Sequence, residues 1–204
     1  MKNNETGRSM VEMLGVLAIV GVLSAGALKG YSDAMFKYKM NQTIDITTRM
    51  LQRIEELAQK DLGSEASIGA YNAVEWGLLE KCDLEDGYKC RLPIGSVVID
   101  FNDMSADECF DGSPAGFAGQ LQFIFTDAKS CTAFLSAHWE QMLPQDWWNP
   151  NGLLLVGSRR GTTYLYYPGE DITEMPTMSD FTNACQKICI NGKCWIFLRY
   201  RNWC

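Results

Sequence analysis

Several residue types are scarce in this chain of 204 residues. A single histidine excludes a metal site built from several imidazoles of one chain. Basic residues number 18 against 25 acidic ones, a net charge of −7. Nucleic acid is therefore not expected as a partner, because binding phosphates needs clustered Lys and Arg. Charged residues make up only 21% and hydrophobic residues 47%, which excludes a disordered chain and allows a sizeable core.

The first part of the chain lacks both proline and cysteine. The first proline is Pro93, and all eight cysteines lie at or beyond Cys82. Residues 1–60 carry 8 basic and 6 acidic residues (net +2), whereas residues 61–204 carry 10 and 19 (net −9). We therefore expect a stem and an acidic, cysteine-rich head. Confinement of the cysteines to the head indicates disulfides formed in an oxidising compartment.

A long apolar run occupies Met10–Leu28, where Glu12 is the only charged residue. As a helix this run covers about 28 Å, close to the bilayer core of about 30 Å. We expect it to enter a membrane, in preference to the alternative of a buried helix in a soluble protein. A cleaved secretory signal would use Ala25-Gly26-Ala27 as its cleavage site, but Glu12 is costly in such a segment. A plain membrane anchor leaves Glu12 unexplained.

The residues around Glu12 carry a family resemblance. Gly7-Arg8-Ser9-Met10-Val11-Glu12-Met13-Leu14, followed by the apolar run, resembles the N-terminus of type IV pilins and type II secretion pseudopilins. That family has a short polar leader ending in Gly and a Glu at the fifth position after it, and Glu12 is fifth counting from Arg8. The family usually has Phe or Met at the first position, where this chain has Arg8. The resemblance covers about 30 of the 204 residues.

The resemblance implies a processing route and a destination. A membrane prepilin peptidase would cut between Gly7 and Arg8 and methylate the new amino terminus at Arg8. The precursor would cross the bacterial inner membrane once, with its head in the periplasm, and then join a periplasmic or extracellular filament of pilin-like subunits. Glu12 would serve assembly by pairing with the α-amine of Arg8 in a neighbouring subunit, because a carboxylate in an apolar helix needs a cation. Major pilin, minor pilin and pseudopilin all remain open.

Four glycines, Gly15, Gly21, Gly26 and Gly30, punctuate the same helix. Small residues let helices approach closely, and Gly26-x-x-x-Gly30 has the spacing of such a contact. Simple tolerance of glycine in an apolar helix is the alternative, and the resemblance adds local melting during assembly.

The helix is expected to continue into an amphipathic half. Ile44, Thr47, Leu51, Ile54 and Ala58 follow the spacing of one helix face, and Gly63 is suited to end the helix. The predicted divisions are a leader at 1–7, a helix at 8–62 with its transmembrane part at 10–28, and a disulfide-bonded head at 63–204.

The head is expected to be α+β. Turn and periodicity signals predict strands at Ser96–Phe101, Leu121–Thr126, Leu153–Val156, Thr162–Tyr167 and Cys194–Tyr200, with helices at Ala128–Leu143 and Ser179–Ile188. The amphipathic half of the N-terminal helix would pack on an antiparallel sheet, an arrangement similar to that of pilins.

Two disulfides are predicted among the 105 pairings that eight cysteines allow. Asn191-Gly192 between apolar runs predicts a hairpin that places Cys189 opposite Cys194 at a non-hydrogen-bonded site. Cys82 and Cys90 are expected to close a second, local loop. A zinc site using Cys185, Cys189, Cys194 and Cys204 is the less favoured alternative, because thiolate sites are typical of reducing compartments.

The remaining candidate sites favour structural interpretations. His138 falls in a predicted helix and is expected to be structural, which leaves no catalytic thiol–imidazole pair. The acidic stretch 100–112 lacks the EF-hand order, so a solvated loop is favoured over calcium binding. The Trp147-Trp148 cluster is expected to pack under a loop, with a binding knob as the alternative. We therefore predict no enzyme activity and no cofactor. The main alternative to a filament subunit is a membrane-anchored or signal-cleaved periplasmic binding module that does not polymerise.

Overall fold

A computed structural model describes residues 10–58, 60, 67–104, 116–137, 139–142, 154–158, 161–163, 177–189 and 192–200. Its helices are α1 (Met10–Ala58), α2 (Ala128–Leu135), α3 (Trp139–Met142) and α4 (Met178–Ile188). Its strands are β1 (Ser67–Gly69), β2 (Leu84–Glu85), β3 (Lys89–Arg91), β4 (Ser96–Met104), β5 (Gly116–Phe125), β6 (Leu154–Ser158), β7 (Gly161–Thr163) and β8 (Cys194–Tyr200). The chain divides into two compact units, Met1–Lys39 and Met40–Cys204, with the boundary inside α1.

The described part of the first unit is helical throughout. Every residue from Met10 to Ala34 is exposed, although most of them are apolar. In water such a surface would be unfavourable, since each buried apolar side chain gains about 1.5–3 kcal/mol over an exposed one. This segment belongs to α1, which is the one described helix that is long and apolar enough to cross a membrane.

The second unit contains an antiparallel sheet. Its strands run in the order β2-β3-β4-β5-β8-β6-β7, and β1 pairs with the other end of β4. The central register pairs Val97 with Phe123 and Phe123 with Ile196, so alternate residues of the three strands share one buried face. The α+β class, with a long apolar N-terminal helix and a C-terminal antiparallel sheet, is confirmed.

Helix α2 covers part of this buried face. The ring of Phe134 lies 4.7 Å from the ring of Phe123 and 5.1 Å from that of Phe125, measured between centroids. Asp127 caps the helix by accepting a hydrogen bond of 2.7 Å from the backbone N–H of Ser130. The cap fixes where α2 begins and hence which residues reach the sheet.

The second half of α1 belongs to the core of the second unit. Its buried residues are Met40, Thr43, Thr47, Met50, Leu51, Ile54 and Leu57. Of the predicted face, Thr47, Leu51 and Ile54 are buried, but Ile44 and Ala58 are only partly covered. The buried stripe is wider than a strict 3, 4 spacing predicts, because the head covers both Met50 and Leu51 on adjacent positions.

Two predicted elements are wrong in detail. The helix predicted over Ala128–Leu143 is interrupted, since α2 ends at Leu135 and α3 begins at Trp139. The break lets Trp139 fold back, so that its indole Nε1 donates to the carbonyl oxygen of Phe134 at 2.7 Å and its ring lies 4.8 Å from that of Phe134.

The hairpin predicted around Asn191-Gly192 has no strand at Cys189, which caps α4, while Ile190 and Asn191 lie outside the described residues; the helix predicted over Ser179–Ile188 is confirmed. Helix α4 continues to Ile188, and Thr177 with Asp180 forms a capping box that starts it. Buried Ala184, Cys185 and Ile188 follow a helical spacing, which prevailed over the turn signal.

Candidate functional site

Only part of the predicted processing and assembly segment is described. Gly7 and Arg8 lie outside the described residues. Glu12 lies in the first turn of α1, surrounded by exposed apolar side chains such as Val11 and Leu14. A carboxylate at a helix N-terminus interacts favourably with the helix dipole, which suits Glu12 to this position.

The apolar part of α1 contains the span that length and composition qualify for a membrane. An 18-residue window there has a mean hydropathy of 2.1 and none of it is buried inside the protein. A cleaved signal near the N-terminus meets the same criterion. The finding is compatible with a membrane anchor or a signal, and it leaves an apolar surface that the described residues do not cover.

Within the described part of the chain, nothing packs against the four glycines of this span. A Cβ atom added at Gly15, Gly21, Gly26 or Gly30 would meet nothing within 4 Å outside the local helix. At about 100° per residue, Gly15, Gly26 and Gly30 lie within about 60° of one another around the helix axis, and so does Glu12. Gly21 lies at least about 120° away from them. One side of the helix therefore combines the carboxylate with three of the glycines.

Three disulfides are present among the described cysteines. Cys82 is bonded to Cys90 at 2.03 Å, and Cys189 is bonded to Cys194 with their Cα atoms 4.3 Å apart. The second bond joins the end of α4 to the start of β8, so it closes a helix-to-strand loop instead of a hairpin. The third bond, Cys131–Cys185, ties α2 to α4 across 54 residues of sequence and was not anticipated.

The Cys82–Cys90 loop contains a buried lysine. Lys89 Nζ lies 2.9 Å from Asp86 Oδ2 and 3.7 Å from Glu85 Oε2, and only 6% of the Lys89 side chain is exposed. The hydrogen bond with Asp86 raises the pKa of Lys89, and the same bond lowers the pKa of Asp86. Asp86 has φ 55° and Gly87 has φ 77°, which makes the tight turn that brings Asp86 to Lys89.

The structure alters the membership of the predicted zinc site, and the other less favoured candidate sites lie wholly or partly outside the described residues. Of the proposed zinc set, Cys204 lies outside it, and a different residue, Cys131, places its sulfur within 4.8 Å of those of Cys189 and Cys194. No sequence signal linked Cys131 to this group, since the contact depends on α2 packing beside α4. His138, the Trp147-Trp148 cluster and residues 105–112 of the acidic stretch also lie outside the described residues.

A shallow groove opens between the second half of α1 and residues 77–93. Arg49 and Glu80 form an exposed ion pair of 3.3 Å on its rim, and Arg91 lies 3.7 Å from Glu85. Leu78, Leu79 and Leu92 line its floor. Exposed pairs of this kind contribute about 0–1 kcal/mol and leave charges of both signs at the groove. Its lining holds three basic residues (Arg49, Lys81 and Arg91) and two acidic ones (Glu80 and Asp83), a net charge of +1 that is too small to select a ligand by charge.

The chain was also compared with known proteins. No protein-family model, curated protein or solved structure matches it. What the protein does is therefore inferred from its own residues.

Proposed function

We propose that this protein is a structural subunit, a pilin or pseudopilin, of a filament related to type IV pili or type II secretion filaments. The observation that carries the proposal is Glu12 in the first turn of a 49-residue helix whose first half is apolar and exposed on every side. A signal or simple anchor needs only the apolar residues. A carboxylate within them is costly unless it has a use.

The two halves of α1 suit a subunit that leaves the bilayer for a polymer. The half from Met40 onward buries seven side chains within the second unit, so this half of the helix is part of the core of the head. The apolar half offers its whole surface to partners, which are lipid before assembly and other subunits afterwards. Because lipid and neighbouring helices are both apolar, transfer between them costs little hydrophobic free energy.

Assembly would use the side of the helix that holds Glu12. Cleavage after Gly7 creates an α-amine at Arg8, and Glu12 of one subunit would pair with that amine of its neighbour. Gly15, Gly26 and Gly30 on the same side allow close approach of the neighbouring backbone. The disulfides stabilise the head in the periplasm or outside the cell.

The mature N-terminus tests the proposal. Mass spectrometry of the protein from a host with a prepilin peptidase is expected to show a start at Arg8, with the mass of a methyl group added. A start at Leu28, after Ala25-Gly26-Ala27, would identify a secretory signal and contradict the proposal. An uncleaved chain would indicate a plain membrane anchor.

Assembly is tested separately by substitution of Glu12. Glu12→Ala is expected to be cleaved normally and to lose most filament material, measured as sheared, sedimented subunit relative to processed subunit in the membrane. Glu12→Asp, which keeps the carboxylate, should retain part of the assembly. Wild-type filament yield from Glu12→Ala would refute the proposed role.

Substitution of Gly26 and of Gly21, which lie on different sides of α1, gives a matched pair of variants. Gly26→Leu is expected to reduce assembly because it fills the side that holds Glu12, whereas Gly21→Leu lies on another side and should be tolerated. Leucine is a good helix former, so neither change should disrupt α1 itself. Equal effects of the two variants would show that this side of the helix has no special role.

The alternative function is a periplasmic binding module that keeps its anchor or loses its signal. The exposed apolar half of α1 is compatible with that function too. The alternative predicts normal activity of the head after residues 1–39 are replaced by an unrelated anchor, and no dependence of any phenotype on Glu12.

A further inference from the structure

Four cysteines of the head bring their sulfurs to one place. The Sγ atoms of Cys131, Cys189 and Cys194 all lie within 4.8 Å of one another, and Cys185 Sγ is bonded to Cys131 Sγ at 2.07 Å. The residues come from α2, the C-terminal end of α4 and the first position of β8. The two disulfides are therefore neighbours, and their four sulfurs form one cluster.

The separations suit a tetrahedral metal ion. Zinc–thiolate bonds of about 2.3 Å place the four sulfurs of a tetrahedron about 3.8 Å apart. The Sγ atom of Cys131 lies within 4.8 Å of both sulfurs of the Cys189–Cys194 disulfide, so the two bonded pairs are already neighbours. Once the Cys131–Cys185 and Cys189–Cys194 bonds are broken, rotation about each Cα–Cβ bond can open the bonded pairs to the same separation.

The sequence spacing supports the same ligand set. Cys189-x4-Cys194 falls within the C-x2–4-C spacing usual for zinc ligands. Cys185 and Cys189 lie four residues apart at the end of α4, so both are presented on one helix side. Cys131 completes the set from the helix that packs beside α4.

Burial also favours a closed, structural site. Cys131, Cys185 and Cys194 have no exposed surface, whereas Cys189 is partly exposed. A closed site excludes a water ligand, as structural zinc sites do. Cys189 is the position through which a reductant and then a metal ion would reach the cluster.

We propose that Cys131, Cys185, Cys189 and Cys194 form a four-thiolate site for zinc or a similar divalent ion when the cysteines are reduced. A phosphine or dithiol reductant supplies the four electrons that convert the two disulfides into four thiols. The ion then displaces four protons and binds four thiolates. The metal would hold α2, α4 and β8 together as the two disulfides do. The proposal does not depend on the filament function.

Cobalt provides a spectroscopic test on the full-length chain in detergent. After anaerobic reduction with a phosphine, Co²⁺ is expected to bind one equivalent, with thiolate-to-cobalt absorption in the near ultraviolet and tetrahedral bands in the visible. Zn²⁺ should displace it and abolish the bands. The oxidised protein, whose four sulfurs are in disulfides, should show no thiolate bands.

Two variants separate this cluster from the other cysteines. Cys194→Ser is expected to lose or strongly weaken the tetrahedral bands. The double variant Cys82→Ser/Cys90→Ser is the matched control and should keep them, because that disulfide joins Cys82, just before β2, to Cys90 in β3. Loss of the bands in the control, or their full retention in Cys194→Ser, would overturn the proposal.

A measurement on the wild-type protein avoids the risk that a variant does not fold. The reduced chain is treated with iodoacetamide with and without Zn²⁺, and each cysteine is then quantified by peptide mass spectrometry. Zn²⁺ should lower the alkylation of Cys131, Cys185, Cys189 and Cys194 and leave that of Cys82 and Cys90 unchanged. Uniform alkylation would overturn the proposal, as would protection of Cys204 in place of Cys131.

Discussion

The backbone N–H of Ile94 donates a hydrogen bond of 3.1 Å to the Oγ1 atom of Thr43, across 51 residues of sequence. Thr43 is fully buried on α1, and its carbonyl oxygen accepts a further bond of 2.8 Å from the Oγ1 of Thr47. Thr43 thus satisfies a backbone N–H of the loop before β4, whereas the Thr47 hydroxyl bonds within the helix. This contact connects the second half of α1 with the head.

Replacement of Thr43 tests the contribution of that contact. Thr43→Val keeps the shape but leaves the Ile94 N–H without its acceptor, and we expect the free energy of unfolding to fall by about 1–3 kcal/mol. Thr48→Val is the control, because Thr48 bonds the carbonyl of Ile44 within its own helix and, through a long 3.8 Å contact, the sulfur of Met142, and it should cost less. Denaturant unfolding of both variants measures the difference. Equal losses would contradict a special role for the bond to Ile94.

A pair of glycines with the same backbone conformation tests steric fit in the head. Gly95 and Gly87 both have φ 77°, where L residues are strained. A Cβ at Gly95 would lie 2.5 Å from the carbonyl oxygen of Ile124, whereas one at Gly87 would meet nothing within 4 Å. Gly87→Ala should cost about 1–2 kcal/mol from strain alone, and Gly95→Ala clearly more. Thermal unfolding compares the two, and a similar loss in both would show that the backbone near Ile124 relaxes.

Removal of individual disulfides should reveal the effect of loop length. Cys131–Cys185 spans 54 residues and Cys82–Cys90 spans 8. The chain-entropy relation gives about 4 kcal/mol for the longer loop and about 2.5 kcal/mol for the shorter one. We expect Cys131→Ala/Cys185→Ala to lower the free energy of unfolding more than Cys82→Ala/Cys90→Ala. The reverse order in denaturant unfolding would indicate that effects in the folded state outweigh chain entropy.

The ion pair of Lys89 with Asp86 predicts a pH dependence of stability. The pKa of Asp86 is lowered from its usual 3.8, so its contribution is present above that pH and is lost as the pH falls through the lowered value. The pKa of Lys89 is raised from 10.5, so its contribution is lost only as the pH rises above that value. Lys89→Met should therefore differ from wild type most between about pH 4 and 10.5. A melting-temperature difference that persists unchanged at pH 2 would show that packing, and not charge, is responsible.

The fold class could be predicted from the sequence because its signals are local. The apolar run from Met10 to Leu28 needs no tertiary partner to form a helix, and the alternation of Val97, Ile99 and Phe101 predicts a strand with one buried face. Where a strand signal and a helix signal overlapped, the sequence alone did not show which element forms. Lys187-Ile188 is compatible with a hairpin strand or a helix end, and the capping box at Thr177 together with burial of Ile188 selected the helix.

The apolar and then amphipathic stem, the acidic head and the position of Glu12 near the start of the apolar span can all be read from the order of the residues. These follow from composition and from spacing along the chain, which local backbone geometry converts directly into helix faces and strand faces. The bond between Cys131 and Cys185 and their place beside Cys189 and Cys194, in contrast, become visible only in the folded chain. The reason is that 54 residues separate Cys131 from Cys185, and their proximity depends on α2 and α4 packing side by side on the sheet. No spacing rule encodes such a contact, because it arises from the packing of side chains that are distant in sequence.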